Sequence, residues 1–415
     1  MKKQLAQTLS IAVALLALSA SQAVAQFSVL HTFSGGADGS KPNYGGPTVL
    51  GGTIYGAAGY GANGGGVVFS MGTDGSGYTA LHTFTSAAGD GWKPLGSVTL
   101  SGSTIYGTTY RGGSGAGDAG YGSVFAVNTD GTGYRNICSF SSASGNRPYS
   151  TVTVGGSTLY GMTYYSGVSN AKGSIYSVNA DGTSYTTLHT FMGGASDGAT
   201  PLGGALTRIG STLYGMAAHG GTGASSTTDG VAFRIGTDGS GYSDQFNFTG
   251  GAVGAVPYGS LTLVGSTFYG LTRYGGSAGQ GALFSMNLDG SGYTTLYNFA
   301  GGASSGAQPN GSLTYDGSVF YGTTRSGGSA DAGTAFEINL DGSGFNILHS
   351  FNGTTDGANP LGDLAYEDGS LYGWTSAGGN GGNGTLFAIS VVPEPSALAL
   401  SLVGLSLLLV RRRQP

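Results

Sequence analysis

The sequence is poor in cysteine and in charge, and each scarcity limits what the chain is able to be. Its 415 residues include one cysteine, Cys138, so no disulfide forms within the chain and stability must come from packing and hydrogen bonding. Only 8% of the residues are charged, which together with 84 glycines suggests a fibrous or disordered chain. The 25 tyrosines and 18 phenylalanines at regular spacing argue against disorder and predict a large packed core.

The part of the chain between the two terminal segments described below is acidic. It carries 10 basic and 19 acidic residues, a net charge of about −9. This balance disfavours nucleic acid and anionic membranes as partners. The Gly-rich stretches lack the lysine and following Ser or Thr of a phosphate-binding loop, and no Ser-His-Asp arrangement is readable.

Residues 1–25 have the parts of a secretory signal peptide. Lys2 and Lys3 give a positive start, residues 11–18 form an apolar stretch, and Ala23-Val24-Ala25 is a small-residue cleavage site. A membrane-spanning helix is the alternative, but the apolar stretch is short for one. The pattern therefore predicts export and a mature chain that begins near Gln26.

Residues 391–415 form a second signal. Pro393, Glu394 and Pro395 precede an uncharged apolar run over 397–410, and three arginines follow at 411–413. With a rise of ~1.5 Å per residue this run reaches roughly 21 Å, less than the ~30 Å hydrocarbon core, so flanking residues or local thinning must help it to span. The arginines are expected to stay on the cytoplasmic side.

This order of parts resembles the PEP-CTERM sorting signal of Gram-negative bacteria, and the resemblance covers only the last 25 residues. It implies transient anchoring in the inner membrane, removal of the anchor by an exosortase, and release to the cell surface or the extracellular matrix. An ordinary C-terminal membrane anchor is the alternative interpretation.

A repeat of 51 to 55 residues fills the chain between these signals. It is marked by a Tyr-Gly pair that recurs at Tyr55, Tyr106, Tyr160, Tyr214, Tyr269, Tyr321 and Tyr372. Self-similarity at such a period indicates a propeller, a solenoid or an array of repeats.

Each repeat contains four strand-like segments. The first carries a threonine seven residues before the tyrosine in six copies, and Ala365 takes its place in the last: Thr48, Thr99, Thr153, Thr207, Thr262 and Thr314. The second contains the Tyr-Gly pair and the third an aromatic residue. An Asp-Gly pair then predicts a tight hairpin before a fourth segment that ends in phenylalanine. Alternation of apolar and polar residues predicts strands throughout.

The last repeat lacks its fourth segment, and the missing piece is at the other end of the chain. The repeat stops at Ile389, whereas Leu30-His31-Thr32-Phe33 matches the fourth-segment pattern and precedes the first full repeat. Circular closure removes an open edge, which a solenoid would have to cap. The sequence thus predicts an all-β fold over 26–390. It is a seven-bladed β-propeller with four antiparallel strands per blade, the last blade closed by the N-terminal strand.

The repeat also resembles a known family. Leu/Ile-Tyr-Gly-x-Thr, Gly-x-Val-Phe and Asp-Gly follow in order along the whole body, as in the tandem repeats of the bacterial choice-of-anchor GloVer-containing proteins. The resemblance implies an exported protein with a variable anchor, which agrees with the C-terminal signal. It implies no catalytic residue.

The predicted strand order places the variable loops on one side of the propeller. Loops between second and third strands and between blades share this side, here called the loop face, and the short uniform turns share the opposite side, the turn face. The unusual side chains collect on the loop face, and those predicted to bind a ligand are Trp92, Tyr110, Arg111, Tyr165, His219, Arg273, Tyr274, Arg325 and Trp374. Aromatic faces beside arginines suit sugar rings or peptide segments, although packing between neighbouring loops is the other interpretation.

Most histidines and aspartates are interpreted as structural. Four of the five histidines hold one repeat position that Cys138, Phe246 and Tyr297 occupy in other copies, which indicates packing rather than a ligand set. Four aspartates in the blade-to-blade loops offer oxygen ligands for Ca²⁺, but each stands without a second carboxylate and turn formation is favoured: Asp38, Asp90, Asp197 and Asp356. No other metal or cofactor is predicted.

Taken together, these patterns predict a non-enzymatic protein of the cell surface or extracellular matrix that binds or organises polysaccharide or protein polymer. The alternative is an extracellular polysaccharide hydrolase or lyase; glycosidase-like chemistry needs two converging carboxylates. The innermost strands offer mainly Ser, Thr and Gly, with Asp363 the exception. A purely structural coat component without a specific ligand is the third interpretation.

Overall fold

The computed structural model describes residues 25–61, 64–85, 87–166, 168–222 and 229–391. Apart from Ala25 and Val391, both predicted export signals, with Pro393, Glu394 and Pro395, lie outside the described residues. Within these ranges there is no helix with the length and hydropathy needed to cross a bilayer.

Seven antiparallel sheets make up the fold, each with the four strands that the sequence predicts. Ala255–Pro257 and Ala307–Pro309 join the sheets of blades 5 and 6 as short fifth strands. Blades are numbered along the chain, and the strands of each run from the inner to the outer edge. They are, in blade 1, Thr48–Leu50, Thr53–Ala58, Val67–Gly72 and Thr79–Thr83; in blade 2, Thr99–Ser101, Thr104–Thr109, Ser123–Asn128 and Arg135–Ser139; in blade 3, Thr153–Gly155, Thr158–Thr163, Ser174–Asn179 and Thr186–Thr190; in blade 4, Thr207–Ile209, Thr212–Ala217, Val231–Gly236 and Ser243–Asn247; in blade 5, Thr262–Val264, Thr267–Tyr274, Ala282–Asn287 and Thr294–Asn298; in blade 6, Thr314–Tyr315, Val319–Ser326, Thr334–Asn339 and Asn346–Ser350; and in blade 7, Ala365–Glu367, Ser370–Trp374, Thr385–Ser390 and Gln26–Thr32. Two short 3-10 turns, Gly117–Ala119 and Gly251–Val253, lie in loops.

The N-terminal strand closes the ring. Gln26–Thr32 pairs antiparallel with Thr385–Ser390, and Val29 lies opposite Phe387. The ring of Phe27 stacks on His349 of blade 6 at 3.6 Å between centres, which ties the closing strand to the neighbouring blade as well. The predicted closure is confirmed.

The Tyr-Gly pair and the third-strand aromatic residue pack against each other. The glycine lies opposite the aromatic residue of the third strand in all seven blades, as Gly107 lies opposite Phe125. A Cβ at Gly107 would meet the ring of Phe125 at 2.5 Å, so only glycine leaves room for the ring. The glycine and the aromatic residue recur together because the aromatic ring fills the space that the glycine leaves.

The hydrophobic core lies between blades rather than within them. One cluster joins Ala57 and Phe84 of blade 1 to Ile105 and Phe125 of blade 2, and the other clusters repeat this pattern around the ring. The phenylalanine that directly follows each outer strand is fully buried, at Phe33, Phe84, Phe140, Phe191, Phe248, Phe299 and Phe351. Each sheet therefore buries its faces only when its neighbours are present.

The recurring threonine of the inner strand joins each blade to the next. Its hydroxyl donates a hydrogen bond of 2.5–2.9 Å to the backbone carbonyl of the residue just before the next inner strand; for example, Thr48 donates to Val98. Six such bonds follow one another around the axis. Ala365 has no hydroxyl, so the joint between blades 7 and 1 lacks the seventh.

The Asp-Gly pairs form the predicted hairpins on the turn face. In blade 1, Asp74 accepts hydrogen bonds from the backbone N–H and hydroxyl of Ser76, and these bonds lower the pKa of the carboxyl group. The same turn recurs at Asp130, Asp181, Asp238, Asp289 and Asp341.

Candidate functional site

A short β-ladder orders the loop face of every blade. The chain that enters a blade pairs, antiparallel, with the chain that leaves the second strand of the same blade. The pairs are Ser40 with Tyr60, Gly91–Trp92 with Arg111–Gly112, Asn146 with Tyr165, Gly198–Ala199 with His219–Gly220, Ala255 with Tyr274, Ala307 with Ser326, and Ala358 with Ala377. Backbone pairing thus positions the segments that carry most of the predicted ligand-binding residues.

One residue of the entering chain is left-handed in every blade, and a proline follows it. Its φ lies between +49° and +59° at Lys41, Lys93, Arg147, Thr200, Val256, Gln308 and Asn359. A side chain in this region costs roughly 1–3 kcal/mol, and such strain persists only where the surrounding structure holds it.

Contacts between neighbouring blades hold this strained residue. Its N–H donates to a carbonyl in the second-to-third-strand loop of the preceding blade over 2.5–2.9 Å, as Lys93 donates to Gly65. The following proline packs against the glycine that precedes the third strand of that blade; a Cβ on Gly66 would meet Pro94 at 2.6 Å. The ring therefore closes on the loop face through backbone geometry.

In blades 1, 2 and 3 the left-handed residue is a cation that lies over tyrosine rings. The charge-to-centre distances are 6.0 and 5.4 Å for Lys41 and Lys93 over Tyr60, and 5.5 and 5.0 Å for Arg147 over Tyr110 and Tyr165. Contacts of this length are cation–π interactions, which are worth ~0.5–1 kcal/mol at exposed sites and more when water is excluded.

Five tyrosines meet in one group, the tyrosine cluster. Tyr149 lies 5.4 Å from Tyr44, 4.8 Å from Tyr110 and 5.6 Å from Tyr164, and Tyr164 lies 4.4 Å from Tyr165, between ring centres. Tyr44 and Tyr149 precede the inner strands of blades 1 and 3, which are separated by blade 2. Their contact therefore places the cluster over the propeller axis.

Two arginines face this cluster from the far side of the ring. Burial raises the pKa of Tyr44, Tyr258 adds to the rise, and the charges of Arg273 and Arg325 oppose it. The two arginines belong to blades 5 and 6, where they hold the repeat position that Tyr110 and Tyr164 hold in blades 2 and 3, four residues after the tyrosine of the Tyr-Gly pair. They therefore lie at the same edge of the ring as the cluster. We call the assembled surface the axial mouth: the tyrosine cluster with Tyr258, Arg147, Arg273 and Arg325.

Burial keeps the hydroxyl groups of Tyr44, Tyr149 and Tyr164 protonated. Burial, together with the hydroxyl of Tyr110, raises the pKa of Tyr149, and burial also raises the pKa of Tyr164. At neutral pH these side chains present apolar faces and hydroxyls that donate or accept hydrogen bonds.

Four of the residues predicted from the sequence belong to the axial mouth: Tyr110, Tyr165, Arg273 and Arg325. Two more support it. The guanidinium of Arg273 lies 5.1 Å from the ring centre of Tyr274. Arg111 lies 5.3 Å from the ring centre of Tyr110 and donates to the carbonyl of Asp118 over 2.8 Å.

The two tryptophans and the histidine lie elsewhere. Trp374 is 2% exposed, packs in the core and donates its indole N–H to the carbonyl of Asn43, so its ring presents no face to a ligand. Trp92 is half-buried against Gly64 and Gly65 at the joint of blades 1 and 2. His219 pairs with Asp229 at 3.1 Å in blade 4.

Sequence reasoning missed Tyr44, Tyr149, Tyr258 and Arg147. The signal was present in the segments that follow the left-handed residue, where an aromatic comes one or two positions after the proline in three blades. These positions were treated as loop because the ring of contacts that turns them toward the axis involves neighbouring blades.

His–Asp pairs join the outer strands to the blade-to-blade loops. The imidazole–carboxylate distances are 2.9–3.1 Å in His31–Asp38, His82–Asp90, His189–Asp197 and His349–Asp356. The aspartate is present only in the repeats that have the histidine; Ser144 and Ser305 replace it where Cys138 and Tyr297 replace the histidine. The sequence predicts a packing role for this histidine position, and the structure adds that the histidine pairs with an aspartate.

Each of these carboxylates is already supplied with protein donors. Burial alone would raise the pKa of Asp90, but hydrogen bonds from His82, the Thr85 backbone and Tyr134 lower it to about 2. Within the described ranges, no group of three His, Cys, Asp or Glu side chains comes together as a metal site would need.

A cavity of about 420 Å³ is lined by the inner strands of blades 1, 2 and 7. Threonine, serine and aliphatic side chains form most of its wall, and Asp363 contributes a carboxyl group. Burial raises the pKa of Asp363, and hydrogen bonds from Ser312 oppose the rise. One carboxyl group that accepts from the backbone is not the pair that glycoside hydrolysis requires.

Comparison with solved structures shows the fold. The chain is similar to an oligogalacturonate lyase in complex with manganese (TM-score 0.53, 13% identity, covering 90% of this chain and 94% of that one). It is also similar to an oligogalacturonate lyase from Vibrio parahaemolyticus (0.52, 10%, covering 90% and 95%). A third is a putative 6-phosphogluconolactonase from Bacteroides fragilis (0.50, 14%, covering 79% and 89%).

No curated protein matches the chain. At such low identities the structural similarity concerns the propeller alone. A family description, in contrast, matches residues 17–228 and 222–399, which together contain all seven repeats. The chain belongs to the Gloeobacter/Verrucomicrobia repeat family.

Proposed function

We propose that this protein binds a polysaccharide at the axial mouth and acts outside the cell as a non-enzymatic surface or matrix component. The observation that carries the proposal is the contact of tyrosines from blades 1, 2 and 3 in one cluster that Arg147 covers, with Arg273 on Tyr258 and Arg325 at the same edge of the ring. Sugar rings stack on aromatic faces, and their hydroxyls accept hydrogen bonds from guanidinium groups.

The geometry of the site favours binding over packing alone. The strained backbone joins neighbouring blades at all seven positions, and at Arg147 it also carries a cation onto Tyr110 and Tyr165 of the mouth. Strain of this kind is concentrated at ligand-binding surfaces because the fold must preserve a conformation that the residue itself disfavours.

The export signals support an extracellular setting. The proposed course is secretion, transient anchoring by the C-terminal segment, processing by an exosortase, and exposure at the cell surface. Cleavage of a polysaccharide, by a hydrolase or a lyase, remains the alternative function, and no specific arrangement of carboxylates among the described residues favours it.

A glycan array tests the proposal, with two tyrosines of similar exposure as a matched pair. Tyr165 is 37% exposed and belongs to the mouth, whereas Tyr121 is 40% exposed and makes no ring contact with the cluster. We expect Tyr165→Ala to weaken glycan binding about tenfold and Tyr121→Ala to leave it unchanged.

The same preparations should be assayed for release of reducing ends and of unsaturated sugars. Cleavage of a bound glycan would show that the enzymatic alternative is right and that the protein is not a binding protein alone. An array without any bound glycan, for a protein with a cooperative unfolding transition, would refute the proposal.

A further inference from the structure

Charge is divided between the two faces of the propeller. Nine carboxylates lie at the turn face, with three basic side chains, Arg135, Arg208 and Arg234; the nine are Asp74, Asp130, Asp181, Asp238, Asp289, Asp316, Asp341, Glu367 and Asp368. The other seven basic residues of the body lie on the loop face. The net charge of the chain therefore says little about the charge that a ligand meets at the axial mouth.

The carboxylates of the loop face are engaged away from the mouth. Four pair with histidines of the outer strands, and Asp229 pairs with His219. Asp118 pairs with Lys93 at 2.9 Å, and Asp331 accepts a hydrogen bond from the backbone of Gly327. In the cavity below, burial raises the pKa of Asp363, which favours its neutral form.

The arginines of the mouth, by contrast, have no carboxylate partner among the described residues. Arg147 and Arg273 are held by tyrosine rings at 5.0–5.5 Å, and Arg325 donates to the side-chain oxygen of Gln308 over 3.3 Å. The buried Nε of Arg273 has no acceptor. Stacking on tyrosine orients a guanidinium and leaves its outer nitrogens free, which is the arrangement that binds a carboxylate with two parallel hydrogen bonds.

We infer that the axial mouth recognises an acidic polysaccharide, a chain of uronate sugars whose carboxylates bind Arg147, Arg273 and Arg325 while its rings stack on the tyrosine cluster. This inference rests on the proposed function and adds the class of ligand. Arginines from blades 3, 5 and 6 surround the axis, so a chain that crosses the mouth meets a cation on either side.

Hexagalacturonate and its fully methyl-esterified form test the inference by titration calorimetry. The two probes share one sugar backbone and differ in charge. We expect the acid to bind at least tenfold more tightly than the ester at low ionic strength, and the difference to shrink as salt is raised.

Two triple variants provide the matched control. Arg147→Gln with Arg273→Gln and Arg325→Gln removes three charges from the mouth, and Arg135→Gln with Arg208→Gln and Arg234→Gln removes three from elsewhere. We expect the first to abolish the preference for the acid and the second to retain it. Because the acid–ester comparison uses the unaltered protein, the test survives even if the first variant unfolds.

The outcomes separate this inference from the proposed function. Equal binding of acid and ester, both weakened by Tyr165→Ala, would overturn the preference for uronates and keep the polysaccharide site. If neither probe binds but a neutral glycan on the array does, the preference for uronates is likewise overturned and the polysaccharide site is kept. Polyglutamate or duplex DNA bound as tightly as hexagalacturonate would overturn recognition of a sugar, and an array without any bound glycan would end both proposals.

Discussion

At the scale of single residues, the histidine and the aspartate of a blade joint recur together as a pair and not independently of each other. Histidine and aspartate occur together in four blades and are absent together elsewhere, because an unpaired carboxylate or imidazole half-buried under a loop would lose its hydrogen bonds. The stacked aromatic beside each histidine completes the joint; His82 and Tyr134 lie 3.5 Å apart between ring centres.

The His82–Asp90 pair should make the protein less stable as the pH falls below about 4. The folded-state pKa of Asp90, about 2, lies below the value of an unfolded aspartate, ~3.9, so its stabilising contribution is present above pH ~4 and lost as the pH falls toward 2. Urea unfolding should show that the free energy of unfolding of wild type relative to Asp90→Asn falls by up to about 2 kcal/mol between pH 4 and 2.

Asp244 is the control of opposite sign for that experiment. Burial raises its pKa, so its charge opposes folding at neutral pH. The stability of wild type relative to Asp244→Asn should therefore rise as the pH falls. A difference for Asp90→Asn that stays flat down to pH 2 would contradict the role assigned to its hydrogen bonds.

At the scale of elements, the inner strands are very short. They span two or three residues, too few for an independent strand. The second strand holds each of them on one side, and threonine hydroxyls join all but one of them to the next blade around the axis. The recurring threonine is thus explained by a bond between blades rather than by strand propensity alone.

Two substitutions test this ring of threonines in opposite directions. Thr262→Val removes the bond to Leu313 and should lower the free energy of unfolding by about 1 kcal/mol. Ala365→Thr supplies the missing hydroxyl at the joint of blades 7 and 1 and should raise it by a similar or smaller amount. Chemical denaturation measures both; a destabilised Ala365→Thr variant would argue that the seventh joint has no room for the bond.

At the scale of the whole molecule, stability depends on closure of the ring. The core is shared between blades, and the N-terminal strand inserts Phe27 and Phe33 into blade 7 and its neighbours. Burying one such side chain contributes roughly 1.5–3 kcal/mol, and loss of the strand also exposes the edge of Thr385–Ser390.

Deletion of residues 27–33 should therefore lower the melting temperature by roughly five to ten degrees, as expected for several kcal/mol in a domain of this size, and promote association through the open edge. A synthetic peptide of residues 26–34, added in excess, should restore the transition, and a scrambled peptide should not. An unchanged melting temperature after the deletion would show that blade 7 is stable without the closing strand.

The sequence by itself determined the seven blades, their four strands and the circular closure, because strand alternation, Asp-Gly turns and a fixed period are local patterns that leave direct marks in the residues. It also placed Tyr110, Tyr165, Arg273 and Arg325 on the loop face, since their positions follow from strand order alone. Only the tertiary structure decided that Trp374 is buried, that Tyr44 meets Tyr149 from two blades away, and that Arg273 lies on Tyr258. Those outcomes depend on contacts between blades that are distant in sequence, above all on the left-handed residue that each blade holds in place for the next.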